Sequence, residues 1–198
     1  MGDAQHVGVF GGTFDPIHIT HLAIAHAARE QAWLDKVLFV VSGTPPHKND
    51  DVFADARDRY DMVAAATANE PCFAASRIEI DRDGPSYTAD TLRALHTQMP
   101  GAALFLILGF DSLVDLPRWR EPETILEHAH LLAVPRPELE AAIPAGLEGH
   151  YTLLDFPKSD MSSTAIRERL FAGEPVDSML PPAVARLIEE RGLYREQP

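Results

Sequence analysis

The chain has 198 residues, 45% of them hydrophobic and 24% charged, a composition typical of one globular domain with a sizeable core. Its formal net charge of −13 disfavours a broad nucleic-acid surface, which needs a basic face. No stretch approaches the roughly 20 apolar residues of a membrane span, and we see no export signal. Cys72 is the only cysteine, which excludes internal disulfides and favours a reducing, cytoplasmic location.

Short β-type runs alternate with helical patterns along the chain. The pattern predicts, in order, strand 7–10, helix 19–33, strand 37–41, loop 42–49, helix 56–69, strand 73–80, helix 88–98, strand 103–108, helix 122–130, strand 131–134, loop 135–149, strand 151–154, helix 163–172 and helix 182–191. This alternation predicts an α/β fold: a Rossmann-like, doubly wound, mostly parallel sheet with helices on both faces. We expect one domain over 1–198, with a small C-terminal helical extension over about 160–198.

Four predicted strands end in small, polar or cationic residues. Ligands of open α/β sheets bind beyond the carboxyl ends of the strands, so these segments are predicted to meet at one edge. The segments are 11–16, 42–48, 109–112 and 135–137.

The first of these segments, Gly-Gly-Thr-Phe-Asp-Pro, leads into a helix. Paired glycines allow a tight turn and a close ligand approach, and a helix N-terminus offers N–H groups to a phosphate. The spacing matches neither the dinucleotide fingerprint nor a Walker loop.

His18 and His21 follow at a spacing that places both on one face of the helix's first turn. Three interpretations stay open on spacing alone. They cap or pack the helix start, they form a metal pair that lacks an obvious third ligand, or they donate hydrogen bonds to phosphoryl oxygens. The first is the simplest.

Further residues of the same edge have both a functional and a structural interpretation. His47 and Lys48 lie in a loop that is equally well a solvated turn, and Asp111 either accepts from a ribose hydroxyl or caps a short helix. Trp119, flanked by arginines, is either a stacking platform or a core residue. The segment 160–167 is rich in hydroxyl groups and suggests an anion-binding site. N-capping of the following helix accounts for only one of these hydroxyls.

The residues 11–18 with His21 resemble the G-G-T-F-D-P-x-H-x-G-H signature of the nucleotidyltransferase α/β phosphodiesterase superfamily, and 161–167 resembles its I-S-S-T-x-I-R motif. The intervening segments 45–48, 86–92, 109–113, 117–119 and 135–137, with 192–195, resemble bacterial nicotinate-nucleotide adenylyltransferases. The resemblance covers nearly the whole chain in order.

This resemblance implies that His18, His21 and Arg167 are catalytic and contact the ATP phosphates. The other ATP-binding residues that it implies are Gly11, Gly12, Thr13, Phe14, Lys48, Gly109, Arg136, Ser162, Ser163 and Thr164. The implied contacts of nicotinate mononucleotide are Asp15, His47, Tyr87, Thr88, Asp111 and Trp119, with Trp119 stacking on the pyridine ring.

Three positions depart from the family pattern. Thr20 replaces the usual glycine, Met161 replaces the usual isoleucine, and Arg120 stands where the family often has an aromatic residue. We leave open whether Arg120 pairs with the pyridine carboxylate or points outward.

The expected activity joins ATP and nicotinate mononucleotide to give nicotinate adenine dinucleotide and pyrophosphate in NAD biosynthesis. Mg²⁺ is expected with ATP, held by its phosphates rather than by a protein metal site. The expected partners are these two small molecules, with neither nucleic acid nor membrane, and self-association is left open. The alternatives are the amide mononucleotide as substrate, a sister transferase of the phosphopantetheine or glycerol-phosphate type, a non-catalytic nucleotide sensor and a metal-dependent hydrolase.

Overall fold

The structure, a computed structural model, describes residues 4–44, 52–135, 142–157 and 159–195. Its strands are β1 (His6–Gly12), β2 (Lys36–Val41), β3 (Phe73–Ser76), β4 (Ala103–Gly109), β5 (Ala129–Val134) and β6 (Tyr151–Leu153). They form one six-stranded sheet in the order β3-β2-β1-β4-β5-β6. Every neighbouring pair is parallel, which confirms the predicted sheet.

Helices connect the consecutive strands from β1 to β5, as parallel neighbours require, and further helices follow β6. They are α1 (Ile19–Gln31), α2 (Ala56–Thr67), α3 (Thr88–Gln98), α4 (Phe110–Asp115), α5 (Pro122–His128), α6 (Ser163–Phe171) and α7 (Pro182–Arg191), with a 3₁₀ turn at Leu116–Arg118. Across the described ranges, no helix combines the length and apolar character that crossing a membrane requires.

Helices cover both faces of the sheet. In β2, Phe39 packs in one hydrophobic cluster and its neighbour Leu38 in the other, since successive strand side chains point to opposite faces. The first cluster receives residues of α1, α2, α6 and α7, and the second receives residues of α3, α4 and α5. The doubly wound arrangement is therefore confirmed, and α6 and α7 share the core of the sheet.

The direction of winding reverses between β1 and β4, which are adjacent in the sheet. Such a reversal opens a crevice at the carboxyl ends of the two strands, where open α/β sheets bind ligands. The segment after Gly12 and the segment after Gly109 border that crevice.

Some predicted boundaries were wrong, each for a local reason. The strand predicted over 73–80 ends at Ser76, because the chain then turns and the Asp81 N–H donates to the Arg77 carbonyl at 2.8 Å. The helix predicted over 122–130 gives way to a strand at Ala129, which pairs with Leu104 of β4. The sequence pattern also missed α4 and the 3₁₀ turn, both of them short.

Candidate active site

The turn between β1 and α1 is tightly packed around an aromatic ring. Phe14 is buried and adopts a left-handed backbone conformation with φ of 52°, and the Asp15–Pro16 peptide is cis. A Cβ added at Gly12 would lie 2.9 Å from the Phe14 ring, whereas one at Gly11 meets nothing within 4 Å. A side chain at position 12 would therefore displace the buried Phe14 ring, while position 11 borders open space.

His18 and His21 form a stacked pair at the start of α1. Their ring centroids are 3.7 Å apart with an interplanar angle of 26°. The His18 N–H donates to His21 Nδ1 at 3.2 Å, and the His21 ring also packs edge-on against Phe10 and Phe14. His18 is the N-cap residue and only 4% exposed. The structure thus brings the two histidines together, and the capping interpretation and the phosphate interpretation are compatible.

The start of α6 lies beside the start of α1. The Ser163 hydroxyl donates to the Pro16 carbonyl at 2.9 Å, which ties the first turn of α6 to the glycine turn. Ser162 is the N-cap, and its Oγ accepts from the Ala165 N–H at 3.2 Å. Two helix N-termini, each with a positive dipole end, therefore converge at the carboxyl edge of the sheet.

The three hydroxyl groups at the start of α6 differ in whether they can still donate a hydrogen bond. Ser163 uses its proton on Pro16, whereas Ser162 accepts a hydrogen bond and keeps its proton for another acceptor. Thr164 Oγ1 likewise accepts, from Arg167 Nη2 at 3.4 Å. Ser162 and Thr164 are therefore better placed than Ser163 to donate to a phosphate.

The Arg167 guanidinium is directed back under the glycine turn and is 8% exposed. Its Nη1 donates to the Asp15 carbonyl at 2.8 Å and lies 4.0 Å from the Asp15 carboxylate. Its central carbon sits 4.4 Å from the centroid of the Phe53 ring. A cation is thus fixed between the two helix N-termini.

Asp15 directs its carboxylate into the protein. It is 2% exposed, and it accepts from the N–H groups of Phe53 at 2.8 Å and Ala54 at 3.1 Å. The Tyr194 hydroxyl donates to the same carboxylate at 2.6 Å. These contacts give Asp15 a role in joining distant segments; the contact with the mononucleotide implied for it stays a prediction.

Arg59 of α2 is a second buried cation that sequence reasoning missed. It is 1% exposed, and its guanidinium donates to the carbonyls of Ala54 at 3.1 Å, Thr13 at 2.8 Å and Gly43 at 3.3 Å. Burial lowers the pKa of Arg59, and the nearby Asp15 carboxylate opposes that shift. This side chain connects the ends of β1 and β2 to the start of α2. We refer to Asp15, Arg59, Arg167 and Tyr194 as the buried cluster.

A charged patch lies at the start of α3, a helix that packs on the other face of the sheet from α1 and α6. The Arg120 guanidinium lies over the Tyr87 ring, 4.5 Å from its centroid. It pairs with Asp90 at 3.7 Å and Glu121 at 3.3 Å, and Arg93 pairs with the same two carboxylates. We refer to Tyr87, Asp90, Arg93, Arg120 and Glu121 as the rim patch. Both earlier alternatives for Arg120 overlooked its stacking on Tyr87.

The rim patch is connected to the end of β2. Gly43 donates its N–H to Ser86 Oγ at 3.0 Å, and Ser86 returns an N–H to the Thr44 carbonyl at 2.9 Å. A Cβ on Gly43 would lie 2.6 Å from the Glu79 carbonyl oxygen, so only glycine fits there. The Glu79 carboxylate accepts from the Thr91 hydroxyl at 2.6 Å, and burial raises the pKa of Glu79.

Of the remaining candidate residues, four lie in the described part of the chain and three lie outside it. Gly109 is the N-cap of α4, Asp111 is exposed in its first turn, Thr88 begins α3, and Trp119 packs partly against the second hydrophobic cluster. His47, Lys48 and Arg136 lie outside the described residues.

Two of the departures from the family pattern contact each other. Thr20 Oγ1 donates to Met161 Sδ at 3.3 Å, although the residues are 141 positions apart. The added hydroxyl on α1 therefore has a partner in the segment that precedes α6. Within residues 4–44, 52–135, 142–157 and 159–195, no cluster of three or more His, Cys, Asp or Glu side chains is arranged to hold a metal ion.

Comparison with known proteins places the chain in a family. Residues 9–169 match the model of the cytidylyltransferase-like family. A Thermus thermophilus protein named "Probable nicotinate-nucleotide adenylyltransferase" is 46% identical over 194 residues, covering 96% of this chain and 100% of the relative. A protein of the same name from Saccharopolyspora erythraea is 42% identical over 195 residues, covering 98% and 92%.

The fold is also that of a solved structure. Plasmodium falciparum nicotinic acid mononucleotide adenylyltransferase, complexed with NaAD, superposes with a TM-score of 0.79 at 19% identity, covering 96% of this chain and 97% of that one. The sequence matches over nearly the full length, together with the shared fold, show that the chain belongs to the cytidylyltransferase-like family and, within it, to the bacterial nicotinate-nucleotide adenylyltransferases.

Proposed function

We propose that this nucleotidyltransferase joins ATP and nicotinate mononucleotide to give nicotinate adenine dinucleotide and pyrophosphate. One observation carries the proposal: the N-termini of α1 and α6 converge beside the glycine turn, with His18, His21 and Arg167 between them. Backbone N–H groups, imidazoles and a guanidinium are the donors that an α-phosphate and a departing pyrophosphate require.

The reaction needs positioning more than proton transfer. A phosphate oxygen of the mononucleotide attacks the α-phosphorus and forms a P–O bond. The bond from the α-phosphorus to the oxygen bridging the β-phosphate breaks, and pyrophosphate leaves with that electron pair. Because a phosphate monoester has a second pKa of about 6, the nucleophile is already ionised at neutral pH and needs no general base.

The donors at the converging helices stabilise the negative charge that this step moves. His18 and His21 lie at the first turn of α1, and Arg167 of α6 donates to the Asp15 carbonyl just before that turn. Donors that are already in place cost no reorganisation during the reaction, and each is worth on the order of 3 kcal/mol in comparable sites. Ser162 and Thr164 supply further hydroxyl donors to the phosphates.

Mg²⁺ belongs to this proposal as a companion of ATP. The donors at the crevice are imidazoles, hydroxyls and guanidinium groups, which suit phosphate oxygens better than they suit Mg²⁺. We therefore assign the ion to the phosphate oxygens of ATP and to water. Bound there, it would neutralise part of the triphosphate charge.

The rim patch is the proposed site of the nicotinate end. Trp119 precedes Arg120 in the chain, and Arg120 lies over Tyr87 at the N-terminus of α3. An aromatic surface suits stacking of the pyridinium ring, and an added cation suits the negatively charged carboxylate that this ring carries.

The test is pyrophosphate release with ATP and each acceptor in turn. We expect release with nicotinate mononucleotide and a product with the mass of nicotinate adenine dinucleotide. Faster release with nicotinamide mononucleotide would identify the amide as the preferred substrate. Release with phosphopantetheine instead would assign the enzyme to a sister transferase. No release with any acceptor would contradict transfer altogether.

A further inference from the structure

Tyr194 lies near the C-terminal end of the described residues, but its side chain is buried beneath the glycine turn, which is near the N-terminal end. It follows α7 and is 7% exposed. Its φ is 57°, in the left-handed region that side chains other than glycine adopt only at a cost in free energy. Such a conformation persists where the surroundings require it, which indicates that the direction of this side chain matters.

The Tyr194 hydroxyl acts on Asp15. It donates to Oδ1 at 2.6 Å, and the same carboxylate accepts from the Phe53 and Ala54 N–H groups. Burial, together with the Asp15 charge, raises the pKa of Tyr194, so the phenol keeps its proton and remains a donor. The hydroxyl thus supplies one of the three hydrogen bonds that this carboxylate accepts from the described residues.

Asp15 in turn fixes Arg167 from two sides. The Asp15 carbonyl accepts from Arg167 Nη1 at 2.8 Å. Phe53, whose N–H bonds to the Asp15 carboxylate, places its ring against the guanidinium at 4.4 Å. The position of the Arg167 cation therefore depends on where Asp15 is held, and His18 lies only three residues further along the same turn.

We propose that Tyr194 is a positioning residue for adenylyl transfer, which through Asp15 holds Arg167 and the glycine turn in their reactive placement. The inference rests on the proposed function, because it takes Arg167 to act on the phosphates. Tyr194 itself touches neither substrate. Its loss should change how fast bound substrates react and leave their affinities nearly unchanged, since misplacing a catalytic group by a fraction of an ångström slows turnover.

The experiment removes the Tyr194 hydroxyl and keeps the aromatic ring. In Tyr194→Phe we expect kcat to fall about tenfold while both KM values stay within about twofold of the wild type. Tyr151→Phe, the same change on the edge strand β6, should leave kcat unaltered. Leu193→Ala removes apolar packing from the segment that carries Tyr194 and should lower the unfolding midpoint without changing kcat.

The outcomes distinguish a positioning role of Tyr194 in catalysis from a purely structural role. If Tyr194→Phe keeps wild-type kcat and only lowers the unfolding midpoint, or if its kcat falls no further than that of Leu193→Ala, the inference is wrong. Phe53→Leu tests the same path independently, should Tyr194→Phe fail to fold. It removes the ring against Arg167 and should lower kcat with little change in KM, and an unchanged kcat there would also refute the inference. Inactive wild-type protein would instead refute the proposed function.

Discussion

The buried cluster and the rim patch are carried by helices on opposite faces of the sheet and are built differently. In the buried cluster, Asp15 and Arg59 are almost fully enclosed, and their polar atoms bond to backbone groups of several segments. In the rim patch, Arg120 and Asp90 are partly exposed and interact through ion pairs and ring contacts. Buried hydrogen-bonded charges are rigid and costly to disturb, whereas exposed pairs are screened and adaptable.

This difference suggests a division of labour. A rigid, prebuilt arrangement suits the reacting phosphates, whose charge moves during the step. An adaptable surface suits recognition of the second substrate. Substitutions on the first side should therefore lower kcat, and substitutions on the second should raise KM.

The largest effect is expected from His18→Ala. Removing a donor that acts on the moving charge should lower kcat by about a hundredfold or more, while ATP binding measured by calorimetry changes little. His26→Ala is the matched control, since His26 lies on the same helix and pairs with Glu70 away from the crevice. Near-normal turnover in His18→Ala would leave the residue with a capping role alone.

Trp119→Ala should come next and act on the other substrate. Losing a stacking surface is expected to raise the KM for nicotinate mononucleotide about tenfold and to leave the KM for ATP unchanged. Trp33→Ala, at a tryptophan that is 83% exposed, should change neither constant. Unchanged kinetics in Trp119→Ala would identify Trp119 as a core residue.

A smaller effect is expected from Arg120→Ala. Because the guanidinium is half-exposed, we predict an increase of about threefold in the KM for nicotinate mononucleotide and a smaller change for the amide. Arg118→Ala provides the control, since Arg118 pairs with Asp115 on the surface. Equal effects on the acid and the amide would show that Arg120 does not sense the substrate carboxylate.

The smallest effect concerns stability. Burial raises the pKa of Glu79, so its ionised form destabilises the folded state at pH values above the folded pKa. Glu79→Gln, whose amide oxygen still accepts from Thr91, should raise the unfolding midpoint by about 2 °C at neutral pH. The gain should vanish below the unfolded pKa of 4.5, where both states are protonated. Glu190→Gln, on the exposed face of α7, should show no such pH dependence, and a gain in Glu79→Gln that persisted in acid would contradict the assignment.

Much of the fold followed from the sequence because its pattern is local. The alternation of apolar runs and helical spacing placed every strand of the sheet and located α7 at Pro182–Arg191. The errors arose where pairing outweighed the local pattern, as at Ala129, which pairs with β4 although its surroundings look helical. Short elements such as α4 offer too few residues for a periodic signal.

The site was less predictable, because its interior depends on contacts between distant segments. Asp15 and Tyr194 are 179 residues apart, and nothing in either segment indicates the other. Arg59 did carry a signal: it shares a helix face with Met62 and Val63, both buried, and an arginine on an apolar face invites a search for buried partners. The stacking of Arg120 on Tyr87 requires two loops to meet, which spacing alone does not reveal.

The most direct test of adenylyl transfer follows the phosphorus atoms of ATP into the products. Wild-type protein is incubated with nicotinate mononucleotide and with ATP labelled at either the α- or the γ-phosphorus, and the products are separated. We predict that the α label appears in the dinucleotide and the γ label in pyrophosphate. Transfer of the γ label to the mononucleotide, or label in neither product, would contradict adenylyl transfer at this crevice.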